Sequence, residues 1–171
     1  MTGSYRGMSG RSWNQGDMWA GFPTEALANF NREPSGRGVL HTDLVGDGRW
    51  GPERILNITD GTSTTIMAGE RTTRTHPTRG TFWADAFNLY SLSAAWSHSV
   101  TLLDDYDKCV AAPTERDTAN RCKYGWGSPH NGLINFVFCD GHVAPISTGI
   151  DMAIFEAMGT IQHGEVIPGG F

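Results

Sequence analysis

Three carboxylates stand close together in the stretch LLDDYDKC, at Asp104, Asp105 and Asp107. Calcium prefers several oxygen ligands from one flexible loop, and this spacing can bring three carboxylates to one ion. The stretch is therefore a candidate calcium site, and the alternative is an acidic loop that is simply solvated. His41 with Asp43 is a second candidate pair of metal ligands, and Asp47 is a further candidate ligand. No cofactor other than calcium is expected.

Two of the three cysteines, Cys109 and Cys122, lie in one polar segment, whereas Cys139 lies inside an apolar run. A disulfide between the first two would close a short loop and stabilise the fold by about 3 kcal/mol on a chain-entropy estimate. It requires an oxidising compartment, so the alternative is two free thiols in a cytosolic loop. The apolar neighbours of Cys139 favour a small buried side chain over a nucleophile.

His130 stands directly before the apolar run that leads to Asp140 and Gly141. A catalytic histidine needs partners, and the sequence contains no Gly-x-Ser-x-Gly, no His-Glu-x-x-His and no Cys-His pair in a recognisable context. We therefore expect no catalytic residues and no enzymatic activity. The imidazole of His130 is expected to fix the turn before the run by a hydrogen bond to backbone.

Two further features concern partners. The tripeptide Asn57-Ile58-Thr59 matches the acceptor sequence for N-glycosylation, so glycans are candidate attachments on an exported chain. Aromatic side chains in loops can stack on sugars or anchor a protein interface, whereas in the alternative they cover the edge of the core. The aromatic residues concerned are Trp83, Trp96, Tyr106, Tyr124 and Trp126.

Composition limits the class of protein that can carry these residues. A chain of 171 residues is the length of one domain, so we expect a single globular domain over residues 1–171. The formal net charge of −5, with dispersed basic residues, argues against a nucleic-acid partner. No apolar run approaches the roughly 18 residues of a membrane span. The 22 Gly and 8 Pro favour short elements and loops over a helical bundle.

Residues 133–147 predict a β-hairpin. Asp140 and Gly141 fit a two-residue type I′ turn, which would put Cys139 opposite His142 and Phe138 opposite Val143. Because both faces of the hairpin are apolar, we expect it at the centre of the core.

A helix is predicted near residues 150–159. Ile150, Ile154 and Met158 form one apolar stripe, Ala153 lies on another, and Gly159 is placed to stop the helix.

The remaining elements are short. We expect a helix over residues 24–30, strands over 38–41, 64–70 and 80–87, and an Asp-Gly turn at 47–48. Another turn is expected at Asp60 and Gly61, with the Asp60 side chain accepting hydrogen bonds from the amides of Thr62 or Ser63. Together these elements predict a mainly β, α+β domain with an antiparallel sheet or sandwich-like core and short helices.

Four segments resemble a family, the prepilin-like, pseudopilin-related proteins of unknown function. The family's C-terminal signature is a His, nine residues and then Asp-Gly, which His130 and Asp140-Gly141 match in spacing. The segment ITDGTSTTIMAGE, with Asp60-Gly61, is similar to another family segment, in which Asn is usual at the position of Thr64. SYRGMSG over residues 4–10 and IDMAIFEAMGTIQHGEV over residues 150–166 complete the resemblance in chain order.

The resemblance implies export by a type IV pilus or type II secretion-like route and a place in a surface or extracellular filament. Family members normally begin with a prepilin leader and a long apolar helix. Nothing before Ser4 matches either feature, so we expect a processed or partial chain.

Two main hypotheses for function follow, and a third, a hydrolase, would require His130 or His142 to meet a carboxylate and a nucleophile in a pocket. The first is a non-enzymatic, exported structural subunit of a bacterial filament or cell-surface assembly that associates with copies of itself. The second is a secreted carbohydrate- or solute-binding module that uses the loop aromatics. The position of Trp96, Tyr106 and Trp126 distinguishes them, because these side chains would be buried between subunits in the first case and would line an open groove in the second.

Overall fold

The computed structural model describes residues 3–12, 34–41, 51–72, 91–96, 99–103, 107, 111, 125–165 and 167. Within these ranges the chain is mainly β, with five strands and one α-helix of seven or more residues. The strands are β1 (Tyr5–Ser12), β2 (Ile66–Glu70), β3 (Leu92–Trp96), β4 (Leu133–Phe138) and β5 (Val143–Ser147), and the helix is α1 (Met152–Met158). Short 3-10 turns lie at Pro34–Gly36, Ile55–Asn57 and Ser99–Leu102. The predicted mainly β, α+β class is confirmed.

The five strands form one mixed sheet in the order β3, β1, β2, β4, β5. Three neighbouring pairs are antiparallel, and β1 pairs with β3 in parallel. At one end of the sheet, which we call the Tyr5 end, Tyr5 pairs with Glu70 and Leu133 pairs with Ser147. At the opposite end, the Ser12 end, Ile66 pairs with Phe138. Loops that meet at one end are therefore separated from those at the other by the length of the strands.

The predicted hairpin is present, but its register differs by one residue from the prediction. Val137 pairs with Val143, and the next pair, Phe138 with His142, closes the hairpin, so the three residues 139–141 rather than two form the loop. The amide of Gly141 donates to the carbonyl of Phe138 at 3.0 Å, and the amide of Phe138 donates to the carbonyl of His142. Gly141 has a φ of +92°. A turn followed by a positive-φ glycine is the usual three-residue solution, and it opposes Phe138 to His142 rather than to Val143.

The hairpin is not central in the described sheet, because β5 is an edge strand. Ile134, Phe136 and Phe138 face the core, whereas Val143 on β5 is 65% exposed. Burial on both faces of the hairpin was expected because its outer face also carries apolar residues. At Val143, no strand or helix of the described residues packs on that outer face.

Helix α1 lies within the predicted range. Asp151 caps its start by accepting a hydrogen bond from the amide of Ala153 at 2.8 Å. Phe155 and Met158 pack into the core, whereas Ile154 is only partly buried, so the buried face is rotated from the predicted stripe. Gly159 ends the helix with φ −84°. Because this φ is negative, the backbone at position 159 does not require glycine. Packing does, since a Cβ at position 159 would lie 2.8 Å from the Cβ of Ala95.

Aromatic rings fill the space between the helix and the sheet. Phe136 contacts both Trp126 and Phe155 edge to face, with ring centroids 5.1 and 5.6 Å apart. Trp96 and Trp126 are fully buried, and the indole nitrogen of Trp126 donates to the carbonyl of Ala94. These two tryptophans are therefore core residues and line neither a groove nor an open subunit surface. Trp83, Tyr106 and Tyr124 lie outside the described residues.

Two predicted strands need correction. Residues 38–41 form no strand, although the amides of Gly38 and Leu40 donate to carbonyls of β1. Strand β2 begins at Ile66 rather than at Thr64, because the hydroxyls of Thr64 and Thr65 bind the carbonyl of Gly61 and extend the turn. The helix predicted at 24–30, the turn at 47–48 and the strand at 80–87 lie outside the described residues.

Candidate functional site

The turn at Asp60 and Gly61 is present, but the carboxylate of Asp60 does not bind the amides that follow it. It accepts hydrogen bonds from the amide of His163 at 2.8 Å and from the amide of Gly164 at 3.0 Å. In addition, the amide of Asp60 donates to the carbonyl of Ile161. The expected Asx-turn is therefore wrong, because two free amides beyond α1 compete successfully for the carboxylate. These hydrogen bonds connect the segment after α1 to the Ser12 end of the sheet through the carboxylate of Asp60.

Glu70 and His130 meet at the Tyr5 end. The Nε2 atom of His130 lies 3.6 Å from the Glu70 carboxylate, and this imidazole is 54% exposed. The amide of Asn135 donates to Glu70 at 2.8 Å. Burial raises the pKa of Glu70, but hydrogen bonds from Asn135 and Ser128 and the nearby His130 outweigh it, so the pKa is lowered. Glu70 is therefore a carboxylate at neutral pH.

His130 was expected to use its imidazole on backbone at the start of the hairpin. Instead, its own amide donates to the hydroxyl of Ser128 at 3.2 Å, and the ring faces Glu70. Sequence reasoning missed Glu70 as the partner. The available signal was its position at the end of the segment ITDGTSTTIMAGE, one of those that carry the resemblance.

Two cavities flank Pro129 and His130. One, of about 380 Å³, is lined on its polar side by Ser4, Glu70 and Arg71. The other, of about 340 Å³, is lined by polar and apolar side chains in similar measure, and its polar lining residues include His130, Asn131 and Thr148. Its apolar lining residues are Leu102, Leu103, Pro129, Leu133 and Ile134. Three of the four segments that carry the resemblance thus come together at the Tyr5 end.

The tip of the hairpin holds a second carboxylate and imidazole pair. Asp140 accepts hydrogen bonds from the amide of His142 at 3.0 Å and from its Nδ1 atom at 2.6 Å, and these bonds lower the pKa of Asp140. The imidazole stacks on Phe138 with ring centroids 4.4 Å apart. Burial and the Asp140 charge raise the pKa of the Cys139 thiol to about 11. The thiol is protonated at neutral pH, which agrees with the predicted inert role.

A buried ion network, missed in the sequence, supports the residues near the 3-10 turn Ile55–Asn57. The carboxylate of Glu53 accepts from Arg37 at 2.5 Å, from Asn57 at 2.7 Å and contacts His41 at 3.0 Å. Burial raises the pKa of Glu53, but the bonds from Arg37 and Asn57 dominate and lower it. His41 is therefore engaged with Glu53, and Asp43 lies outside the described residues. No periodicity links these positions, so the sequence carried no signal for the network.

A second network holds β1 to the segment after α1. Arg11 lies 3.2 Å from Glu156 and 3.6 Å from Glu165, and His163 contacts Glu165 at 2.6 Å. Burial raises the pKa of Glu156; the Arg11 charge opposes this and the Glu165 charge adds to it. Because the guanidinium of Arg11 lies within reach of both carboxylates, this ion cluster joins β1 to α1 and to the segment that follows it.

Most residues of the predicted calcium site and disulfide lie outside the described part of the chain. Asp104, Asp105, Cys109 and Cys122 lie outside the described residues, and Asp107 is exposed. Within the described ranges no group of three or more His, Cys, Asp or Glu side chains is arranged to hold a metal ion. The calcium site and the disulfide stay predictions. In the candidate N-glycosylation sequence Asn57-Ile58-Thr59, the side-chain nitrogen of Asn57 donates a hydrogen bond to the carboxylate of Glu53.

Comparison with known proteins gives the family of the chain. In the part of the chain that is described, no helix is both long and apolar enough to cross a membrane. No curated protein and no solved structure matches the sequence. The sequence model of the family SBP_bac_10, described as "Protein of unknown function (DUF1559)", matches residues 1–153. Since the match spans most of the 171 residues, the chain belongs to the DUF1559 family.

Proposed function

We propose that the chain is a non-enzymatic, exported structural subunit of a bacterial extracellular filament or cell-surface assembly, similar to pilins and pseudopilins. The observation that carries the proposal is that the carboxylates in the segments with the family resemblance accept hydrogen bonds from backbone amides. Asp60 binds the amides of His163 and Gly164, Glu70 binds the amide of Asn135, and Asp140 binds the amide of His142.

At Asp60 and Asp140, such contacts fix the path of the chain. A general base needs an available lone pair near a substrate site, and a nucleophile needs a neighbouring base. Asp60 and Asp140 are committed to amide hydrogen bonds, and the Cys139 thiol, with its pKa of about 11, is protonated at neutral pH. This chemistry supports a structural role, whereas export and a place at the cell surface or outside the cell are proposed from the resemblance to prepilin-like proteins.

The experiment is electron microscopy of the purified full chain over a range of concentrations, with parallel samples containing a chelator or a reductant. Regular filaments or sheets are expected. Their loss with chelator would implicate calcium at residues 104–107, and their loss with reductant would implicate the pair Cys109 and Cys122. A chain that stays monomeric at every concentration would refute self-assembly.

The alternative, a secreted carbohydrate- or solute-binding module, depends on loop aromatics. The burial of Trp96 and Trp126 removes two of its five aromatic candidates. The cavity beside Glu70 and Arg71 is the remaining feature that favours it, because a concave site with a few polar groups is typical of ligand binding. Calorimetric titration with oligosaccharides and amino acids tests it, and saturable binding by a monomer would favour this alternative.

A further inference from the structure

A single asparagine of the chain is followed by glycine. Asn131 and Gly132 lie in the exposed turn between His130 and β4, and every other asparagine precedes a residue with a side chain. In an Asn-Gly pair the side-chain amide carbon of the asparagine, Cγ, can bond to the backbone nitrogen of the next residue and close a five-membered ring. Glycine has no side chain that would shield this nitrogen. Asn131 is therefore the asparagine at which such a ring closes with the least hindrance.

The fold leaves both reacting groups in solvent. Gly132 has a φ of +72°, and a Cβ at this position would meet no atom within 4 Å. Its carbonyl accepts a hydrogen bond from the amide of Thr148 at 2.9 Å, which holds the turn to the residue after β5. Among the described residues, no hydrogen bond engages the side chain of Asn131 or the amide of Gly132. Neither group has to leave a hydrogen bond before it can react.

We propose that Asn131 deamidates spontaneously, with the backbone nitrogen of Gly132 as the nucleophile and solvent water as the co-reactant. The nitrogen loses its proton to a base in solution and bonds to Cγ of Asn131, which gives a succinimide ring. The bond from Cγ to the side-chain nitrogen breaks, and that nitrogen takes up a proton and leaves as ammonia. No oxidant or reductant takes part in the step.

Water completes the reaction by adding to one of the two carbonyl carbons of the ring and breaking the bond from that carbon to the ring nitrogen. Addition at Cγ gives aspartate, and addition at the main-chain carbonyl gives isoaspartate, in which the main chain runs through the former side chain. Either product replaces a neutral amide by one carboxylate, so the formal net charge changes from −5 to −6. This inference goes beyond the proposed function and does not depend on it.

The reaction changes the surface at the Tyr5 end. The new carboxylate lies at the wall of the cavity of about 340 Å³, which His130 and Thr148 also line. Isoaspartate in addition lengthens the main chain by one carbon directly before Gly132. We expect the longer chain to disturb the hydrogen bond from Thr148 to Gly132, which lies at the start of the hairpin. Deamidation thus alters both the charge and the shape of this surface.

Two Asp-Gly pairs of the described ranges are less reactive. Asp60 and Asp140 each precede a glycine, but both carboxylates accept hydrogen bonds from backbone amides. The bonds from His142 lower the pKa of Asp140, so this carboxyl is ionised at neutral pH, and an ionised carboxylate is a poor electrophile. The amide of Gly141 also donates to the carbonyl of Phe138 at 3.0 Å.

Two other asparagines serve as internal comparators. The side chain of Asn57 donates to Glu53 at 2.7 Å, and the amide of Ile58, which follows it, donates within the 3-10 turn at 3.1 Å. Asn135 precedes Phe136 inside β4, where the strand fixes the backbone on both sides. Both asparagines should keep their amides in the folded chain.

Ion exchange of the folded chain gives one measurement. Incubation at about pH 9 should shift part of the wild-type protein by one negative charge, to the elution position of Asn131→Asp. Asn131→Gln should lose this acidic species, because its longer side chain would have to close a larger ring. Asn135→Gln, the matched change in β4, should keep it, and circular dichroism melting checks that the variants fold. An acidic species that persists in Asn131→Gln would place the reaction elsewhere and overturn the inference.

Peptide mapping by mass spectrometry locates the change. The full chain is incubated, folded and in urea, at about pH 6 and about pH 9 in water labelled with a heavy oxygen isotope, so that conversion during the incubation leaves a solvent oxygen on the residue. In the folded chain we expect the label at position 131, faster at the higher pH because the nitrogen must lose its proton, and not at Asn57 or Asn135. If Asn131 keeps its amide in the folded chain while the chain in urea converts, or if neither sample converts, the inference is overturned.

Discussion

Replacing Asp60 by Ala should release the segment after α1 from the Ser12 end of the sheet. The substitution removes two hydrogen bonds from the amides of His163 and Gly164 to a carboxylate. A bond to a charged group contributes about 1.5 to 3 kcal/mol, and we take the lower limit for the bond from His163. The bond from Gly164, which is exposed, is taken to contribute about 1 kcal/mol, as an ordinary hydrogen bond does. We expect the free energy of unfolding to fall by about 2 to 3 kcal/mol.

The assay combines thermal melting with hydrogen exchange. For a domain of this size, the expected loss lowers the melting temperature by about 4 to 12 °C. Hydrogen exchange should accelerate at the amides of His163 and Gly164, which lose their acceptor. Asp60→Asn keeps one acceptor oxygen and should lose about half as much. Ser63→Ala, an exposed change in the same turn, serves as the control.

One result would refute the reasoning. If Asp60→Ala melts like the wild type, or if the amides of Thr62 and Ser63 lose protection while those of His163 and Gly164 keep it, then Asp60 acts within its own turn. The sequence-based Asx-turn would then be the better description.

Three further predictions concern the hairpin and the ion network. Gly141→Val should destabilise the chain by about 1 to 3 kcal/mol because its φ is +92°, whereas Gly149→Val, where no positive φ is required, should change the melting temperature little. The lowered pKa of Glu53 means that its stabilisation is present above the ordinary carboxyl pKa and is lost as pH falls through the folded-state value. Urea unfolding from about pH 7 to about pH 3 should therefore show a shallower pH dependence in Glu53→Gln, and equal slopes would contradict this. Cys139, with a pKa of about 11, should react with iodoacetamide at least about a hundredfold more slowly in the folded chain than in urea; equal rates would place the thiol in solvent.

Local patterns predicted the elements near the C-terminus well. The alternation at Ile134, Phe136 and Phe138 and the Asp-Gly turn identified the hairpin, and Asp151 and Gly159 lie at the two ends of α1. The register failed by one residue because a two-residue and a three-residue loop share the same glycine signal, and only the bond from Gly141 to Phe138 distinguishes them.

Long-range pairing is what the sequence could not supply. Arg37 and Glu53 are 16 positions apart, and Asp60 and Gly164 are 104 apart. Hydrophobic periodicity reports which face of an element is buried, but it does not report which charged side chain meets another across a fold. The partner of His130 was missed for this reason, since Glu70 becomes its neighbour only after β2 and β4 pair.

The polar residues of the segments that carry the family resemblance share one setting in the fold. Each lies where a loop crosses an end of the sheet: Glu70 and His130 at the Tyr5 end, Asp60 and Asp140 at the Ser12 end. A carboxylate at a strand end binds the amides that pairing leaves unsatisfied, and water would compete for those amides if the carboxylate were removed.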